Sequence, residues 1–241
     1  MKEKSLIEVR FRTIEENLKR IKEEINETAI AAGRNPQEIR LMAVTKTVEA
    51  LFINHALEYG VDLIGENKVQ ELLGKYDELK LEGCEVHLIG HLQTNKVRQI
   101  TGTVNMIQSV DSVKLANEIG KRSSEKAQTM DILLEVNIAK ETTKFGFFPE
   151  QIFETICEIS EIPGVHVRGL MSVPPIFEES EKNRLFFSNM HHLFIDIREK
   201  KIDNVSMDIL SLGMSGDYKQ AIMEGSNLIR LGSAIFGARI Y

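Results

Sequence analysis

The chain has 241 residues and a formal net charge of −6, with 42% apolar and 27% charged residues. This composition is typical of a globular protein with ample material for a core, and the length fits one large α/β domain. We therefore expect a single domain over residues 1–241. The negative charge argues against a nucleic-acid surface. No run approaches the roughly 18 consecutive apolar residues of a membrane span.

Two cysteines, Cys84 and Cys157, lie far apart and fit neither a disulfide framework nor a metal-binding spacing. Such cysteines are typical of reduced thiols inside the cell. The first residues lead into a charged amphipathic stretch and not into the apolar core of a signal peptide. We therefore expect a cytoplasmic protein.

Apolar residues at three- and four-residue spacings predict a first helix over residues 6–32, ended by Gly33 and the Asn35-Pro36 pair. A rhythm of short β-rich runs follows, each a strand candidate. These runs are 39–44, 61–65, 86–89, 106–110, 132–138, 165–171, 207–212 and 228–236. The helix-like segments that follow most of them are 48–59, 69–80, 112–126, 149–160 and 178–200.

Strand candidates that alternate with helices predict a (β/α)₈ TIM barrel with an additional N-terminal helix. A doubly wound open sheet is the alternative, but it normally has fewer strands. Its dinucleotide-binding version has a Gly-x-Gly-x-x-Gly motif after the first strand, which this sequence lacks.

The barrel would bring three distant features to one mouth, because the active sites of such barrels lie at the C-terminal ends of the strands. Lys46 ends the first strand candidate, residues 211–217 follow the seventh, and Gly232 and Ser233 lie in the eighth. Phosphate is usually held after strands seven and eight.

Lys46 follows the apolar run Leu41-Met42-Ala43-Val44, so its amine would lie at the edge of a core. Apolar surroundings lower the pKa of a lysine, which makes it a nucleophile toward aldehydes and ketones. The alternative is an ordinary solvated lysine just past a strand.

Two small-residue loops have the composition of a phosphate cradle. Gly213-Met214-Ser215-Gly216-Asp217 precedes a helical pattern, and Gly232-Ser233 adds further donors. The alternative is a turn in which Ser215 or Asp217 only caps a helix. A Schiff-base lysine together with a phosphate cradle suggests pyridoxal 5′-phosphate.

Arg230 shares a strand face with Leu228 and Gly232, which in a barrel would be the interior face. A buried arginine needs a partner. One candidate is a pyridine nitrogen, which an arginine would keep unprotonated. The other is an internal ion pair with a barrel carboxylate.

The histidines do not predict a metal site, because His87 and His91 have no third ligand in register. His87 fits a buried strand histidine with hydrogen-bond partners. No Gly-x-Ser-x-Gly motif or Cys/His pair is present.

Six motifs in order make the chain resemble the pyridoxal phosphate homeostasis proteins, relatives of the N-terminal barrel of bacterial alanine racemase. They are Ala43-Val44-Thr45-Lys46, Gly65-Glu66-Asn67, residues 87–96, Arg168-Gly169-Leu170-Met171, residues 211–217 and residues 225–237. The resemblance extends from the first helix to Tyr241. Two departures are Thr45, where serine is usual, and Gln108, where histidine is common.

The resemblance implies a barrel that carries pyridoxal 5′-phosphate as an internal aldimine on Lys46. It further implies that the phosphate is held by Ser215, Gly232 and Ser233, that Arg230 faces the pyridine nitrogen, and that Asn67 lines the pocket. Lys144 aligns with a lysine proposed in the family as a second, transient cofactor contact.

The resemblance favours a non-catalytic cofactor carrier over an enzyme. Racemases need a second acid/base opposite the lysine, usually a tyrosine, and in them an additional β domain supplies it across a dimer. The sequence holds only Tyr59, Tyr76, Tyr218 and Tyr241. It ends at Tyr241, so we expect the additional domain, which also forms the racemase dimer, to be missing. We therefore expect a monomer that buffers the cofactor and passes it to apo-enzymes. The alternatives are a racemase-like enzyme of unknown substrate and a Schiff-base aldolase acting on sugar phosphates.

Overall fold

The computed structural model describes residues 2–140, 145–175 and 180–237. Within them, parallel strands form a closed barrel in the order β1 to β8. The strands are β1 Arg40–Val44, β2 Leu63–Glu66, β3 Glu85–Leu88, β4 Met106–Val110, β5 Met130–Glu135, β6 Val165–Met171, β7 Val205–Ser211 and β8 Leu228–Leu231. The barrel closes because β8 pairs with β1, with Leu228 opposite Arg40. The predicted TIM barrel is confirmed.

Helices precede the barrel and follow its strands. They are α1 Lys2–Ala31, α2 Ala50–Glu58, α3 Val69–Lys75, α4 Val97–Ile100, α5 Val113–Glu125, α6 Ile152–Ser160, α7 Ser180–Glu199, α8 Tyr218–Met223 and α9 Ser233–Phe236. The first of them is the predicted additional N-terminal helix. None of these helices combines the length and apolarity needed to cross a bilayer.

α1 is tied to the end of the barrel by its apolar stripe and by two polar side chains. Ile14 and Ile21 are fully buried, as their helical spacing predicts. Asn17 Nδ2 donates to the carbonyl of Ile235 in α9 at 3.0 Å. The Tyr218 hydroxyl at the start of α8 donates to Glu24. The helix thereby supports the two elements that follow β7 and β8.

The last predicted strand is too long, and its second half is a helix. Residues 228–236 read as one apolar run, but β8 ends at Leu231 and α9 begins at Ser233. The chain turns at Gly232, which has φ −110° and ψ −77°. The periodicity of a short apolar run does not distinguish a strand from a helix. The sequence pattern therefore could not predict where β8 ends and α9 begins.

The barrel interior contains two small apolar clusters and a set of polar side chains. One cluster is Met42, Leu63 and Leu228, and the other is Met106, Leu133 and Met171. The larger core lies between the strands and the helices, as is usual for this fold.

Candidate functional site

A cavity of about 640 Å³ lies at the mouth of the barrel. All six residues that the sequence predicts for the site line it. They are Lys46, Asn67, Ser215, Arg230, Gly232 and Ser233. The fold thus brings together side chains that are separated by most of the chain.

Lys46 lies in a tight turn directly after β1. Thr45 before it is fully buried, whereas Lys46 is partly exposed and lines the cavity. Thr47 after it has φ 62°, a left-handed conformation that is strained for a β-branched residue. The Thr47 amide donates to the Glu71 carboxylate, which holds the turn in this conformation.

Beneath this turn lies a buried ion pair between Glu66 and Lys75, 2.5 Å apart. Glu66 is fully buried and also accepts from the Thr45 hydroxyl at 2.7 Å. Lys75 Nζ donates to the carbonyl of Thr45 at 2.8 Å and to that of Val48 at 3.2 Å. Burial raises the pKa of Glu66, and the hydrogen bonds from Lys75 and Thr45 oppose that shift. The pair therefore clamps both sides of the Lys46 turn.

The loop after β7 is held by its own side chains and by the loop after β8. Asp217 Oδ1 accepts from the Met214 amide at 2.6 Å, and burial raises the pKa of this carboxyl. Ser215 Oγ accepts from the Ala234 amide at 3.2 Å. Ala234 lies in the first turn of α9, whereas Asp217, the N-cap residue of α8, makes no side-chain capping bond. Ser215 thus joins the two loops.

Two glycines of these loops leave their backbone open to the cavity. A Cβ at Gly216 would meet no atom within 4 Å, and one at Gly232 would lie in ordinary contact with Val44, 3.4 Å from its carbonyl oxygen. Neither glycine is required by packing within the protein. Because these glycines have no side chains, a ligand can approach their backbone amides beside the Ser215 and Ser233 hydroxyls. Such a set of donors suits an anion such as phosphate. Because α8 has six residues and α9 four, the loops and not helix dipoles would provide this binding.

Arg230 is almost fully buried, and its partners are neutral. One terminal nitrogen donates to Ser211, to the carbonyl at 2.6 Å and to Oγ at 2.7 Å. The other donates to the carbonyl of Ser172 at 2.8 Å. Burial lowers the pKa of Arg230 to about 10, so it stays cationic at neutral pH. No ion pair joins it to a carboxylate among the described residues, so the predicted internal ion pair is not found there.

Asn67 follows β2 and is placed by a close backbone contact. A Cβ at Gly90 would lie 2.3 Å from the carbonyl oxygen of Asn67, so only glycine allows this approach. Asn67 also lines a second, smaller cavity, together with His91 and Phe145. Lys144, the predicted transient contact, lies outside the described residues.

The polar residues that the sequence sets aside have structural partners. His87 is fully buried and hydrogen-bonded to Glu85 and Gln108. His91 pairs with Asp111 at 2.9 Å and stacks on Phe145. Within the described ranges, no three His, Cys, Asp or Glu side chains come together as a metal site.

Sequence reasoning missed the residues that support the site. Thr45, Glu66 and Lys75 hold the Lys46 turn, and Ser172 and Ser211 hold Arg230. Thr45, Glu66 and Ser211 stand inside the motifs, but no spacing marks their roles. Lys75 reads as an ordinary residue near a helix end.

Comparison with known proteins agrees with this fold and shows the family. The family model of the alanine racemase N-terminal domain matches residues 11–240. A curated relative from Aquifex aeolicus, named pyridoxal phosphate homeostasis protein, is 40% identical and aligns over 94% of this chain and 98% of its own length. The chain therefore belongs to the alanine racemase N-terminal domain family, and within it to the pyridoxal phosphate homeostasis proteins. The resemblance noted in the sequence is confirmed.

Two solved structures share this barrel. A protein of Bifidobacterium adolescentis has a TM-score of 0.90 and 32% identity, covering 94% of this chain and 96% of that one. PipY of Synechococcus elongatus, solved with pyridoxal phosphate bound, has a TM-score of 0.81 and 28% identity, covering 93% of this chain and all of that one.

Proposed function

We propose that this protein binds pyridoxal 5′-phosphate covalently through Lys46 and buffers the cofactor without efficient catalysis. The observation that carries this proposal is the meeting of an amine, two serine- and glycine-rich loops and a buried guanidinium in one cavity. The bound cofactor of PipY and the name of the Aquifex relative support it.

The residues present fit the chemical groups of the cofactor. When bound, pyridoxal phosphate supplies an aldehyde that an amine can capture and a pyridine ring that withdraws electrons. Lys46 provides the amine at one side of the cavity. Ser215, Ser233 and the open backbone at Gly216 and Gly232 hold the phosphate. Asn67 lines the wall beside them.

Arg230 places a permanent cation at the ring nitrogen. Its described bonds to Ser211 and Ser172 use three of the five N–H donors of a guanidinium, and the side chain also lines the cavity. We assign an N–H of Arg230 to the ring nitrogen. An arginine does not give up its proton, so the ring nitrogen stays unprotonated and the ring withdraws electrons weakly.

A tyrosine on the face opposite the lysine is not part of the described cavity lining. Tyr218 is buried against Glu24, the Tyr76 hydroxyl donates to the carbonyl of Thr103 at 3.4 Å, and Tyr59 caps α2. Racemisation needs proton transfer on both faces of the substrate carbon. A one-sided lysine and a weakly withdrawing ring favour holding the cofactor over turning over amino acids.

The first test is the visible absorption spectrum of the protein with pyridoxal phosphate, before and after borohydride. We expect a band shifted from that of the free cofactor and, after reduction, a pyridoxyl adduct mapped by mass spectrometry to Lys46. Lys46→Ala should lose both. Lys68→Ala is the matched control, because Lys68 is an exposed lysine next to Asn67. A wild-type protein with no band, or an adduct on another lysine, would contradict the proposal.

The second test is racemisation of alanine by the loaded protein, followed by chiral chromatography. We expect no rate above that of free pyridoxal phosphate, because no second acid/base faces Lys46 in our assignment. Saturable turnover that disappears in Lys46→Ala would establish the racemase-like alternative instead.

The proposal extends to the setting in which the protein acts. We infer that it is a cytoplasmic monomer that passes the cofactor to apo-enzymes, and its free cysteines, Cys84 and Cys157, suit a reducing compartment. Reactivation of an apo-enzyme by the loaded protein in the presence of a phosphatase that destroys free cofactor would support direct transfer. Reactivation no faster than from released cofactor would contradict it.

A further inference from the structure

A continuous chain of hydrogen bonds crosses the barrel interior beneath Arg230. Arg230 donates to Ser211 Oγ at 2.7 Å, and Ser211 Oγ donates to Gln108 Oε1 at 2.7 Å. Gln108 Nε2 lies 2.9 Å from His87 Nδ1, and His87 Nε2 lies 3.1 Å from Glu85 Oε2. We call these five residues the interior chain. It joins the cofactor cavity to the opposite end of the barrel.

The two ends of the interior chain, together with a neutral imidazole at His87, force every bond in it to point the same way. Arg230 can only donate and an ionised Glu85 can only accept. His87 must therefore donate from Nε2, which leaves Nδ1 as an acceptor. Gln108 must then turn its NH₂ group toward His87 and its oxygen toward Ser211. Only this amide orientation and this histidine tautomer satisfy both ends.

The surroundings of the interior chain make a broken bond costly. Ser211, Gln108 and His87 are fully buried, and they share the barrel interior with the apolar clusters around Met42 and Met106. Burial lowers the pKa of His87, so its imidazole is neutral. The hydrogen bond from His87 is the main cause that lowers the pKa of Glu85 to about 2. A buried donor or acceptor without a partner would lose its full solvation.

We propose that Gln108 and His87 are positioning residues that orient Arg230 toward the ring of the cofactor through the Ser211 hydroxyl. This inference rests on the proposed function. Ser211 has one hydroxyl proton, and Gln108 directs it away from Arg230. The Ser211 lone pairs then remain for the guanidinium, which locks its plane at the cavity wall. Neither Gln108 nor His87 lines the cavity, so they act only through Ser211 and Arg230.

Substitutions at Gln108 distinguish the effect of its hydrogen bonds from the effect of its size. Gln108→Met keeps an unbranched side chain of similar size but removes the donor and the acceptor. Gln108→His restores one of each and should rescue the chain. Ser109→Ala is the control, because Ser109 is an equally buried neighbour on β4 whose hydroxyl bonds to the carbonyl of Gly90 at 2.6 Å, outside the chain.

The first measurement uses the protein without cofactor. Nitrogen-15 NMR of the histidine rings at neutral pH should show His87 with its proton on Nε2 and with Nδ1 accepting a hydrogen bond. In Gln108→Met the Nδ1 shift should move to that of an unbonded acceptor, and in Gln108→His it should return. A wild-type His87 that is protonated on Nδ1 would overturn the proposed direction of the chain.

The second measurement uses the loaded protein. In Gln108→Met the absorption maximum of the bound cofactor should shift and its release should become about tenfold faster, whereas Gln108→His and Ser109→Ala should resemble wild type. Thermal midpoints for all variants separate lost stability from lost positioning. A Gln108→Met protein with a lower midpoint but an unchanged spectrum and release rate would overturn the proposal while leaving the function in place. A wild-type protein that forms no adduct at Lys46 would overturn the function itself.

Discussion

At the scale of single residues, the position of Lys46 depends on neighbours that do not line the cavity. The Glu66–Lys75 pair binds the backbone on both sides of the turn, and Thr47 is held at φ 62°. Strained backbone of this kind persists only where the surroundings over-determine it. The conformation of the Lys46 turn therefore depends on the buried Glu66–Lys75 pair as well as on the residues of the turn itself.

Lys75→Met should destabilise the protein by about 3 kcal/mol, because it leaves Glu66 buried without its cation. Urea unfolding measures this loss, and Lys68→Met, at an exposed site, should be neutral. An equal effect of the two substitutions would contradict a role for the buried pair.

The pH dependence of Lys75→Met follows from the raised pKa of Glu66, which should rise further once Lys75 is gone. Below the ordinary glutamate pKa, Glu66 is protonated in both folded and unfolded chains, so the variant pays no charge penalty. As the pH rises toward the folded-state pKa, the unfolded chain ionises first and the variant loses stability. Urea unfolding at a series of pH values should therefore bring the variant closer to wild type in acid. A difference that does not change with pH would argue against a buried carboxylate as the cause.

At the scale of elements, the rhythm of strands and helices is predictable because each strand is apolar and each helix is amphipathic. The pattern places β4 and β6 with the boundaries that the structure has. It cannot show the irregularity in β6, where Gly169 has φ 151° and a Cβ would lie 1.9 Å from the carbonyl oxygen of Ile209. It also cannot show the interior chain, because Gln108 and Ser211 read as ordinary polar residues until the barrel closes around them.

A methyl group added in the loop after β8 should weaken cofactor binding without unfolding the protein. Gly232→Ala adds a Cβ in ordinary contact with Val44, and φ at this residue is negative, so stability should be nearly unchanged. Affinity for pyridoxal phosphate should fall about tenfold or more, roughly 1.4 kcal/mol, because the methyl group competes with the phosphate. Fluorescence titration measures this loss. Gly74→Ala in α3 meets no atom within 4 Å and is the control, and equal affinities of the two variants would contradict the cradle.

At the scale of the whole molecule, the site is assembled from both ends of the sequence. Lys46 follows β1, whereas Arg230 and Gly232 belong to β8 and the turn after it. The sequence predicted this meeting, because the C-terminal ends of all strands share one mouth in a barrel. The assignment of residues 1–241 to a single domain stays a prediction.

Lys46, Arg230 and Gly232 come together only in the folded barrel. A cofactor that binds them should therefore stabilise the native state over the unfolded one. Pyridoxal phosphate at about 100 times its Kd should add about 2.7 kcal/mol to the free energy of unfolding. For a protein of this size that corresponds to a rise in Tm of roughly 5–10 °C, measured by differential scanning fluorimetry. Lys46→Ala should show a much smaller rise, and an equal rise in wild type and variant would contradict a bond to Lys46.

The pairing of β8 with β1 also has a consequence for when the protein can fold during its synthesis. Arg40 lies opposite Leu228, so the barrel can close only after both of these segments have left the ribosome. Contacts between such distant segments are slow to form, since a long loop must be closed before any of them stabilises the fold. A nascent chain that already displays Lys46 still lacks Arg230 and the loops after β7 and β8. If these residues hold the cofactor as proposed, capture has to wait for the closed barrel, and chains still being synthesised would not deplete the cellular supply.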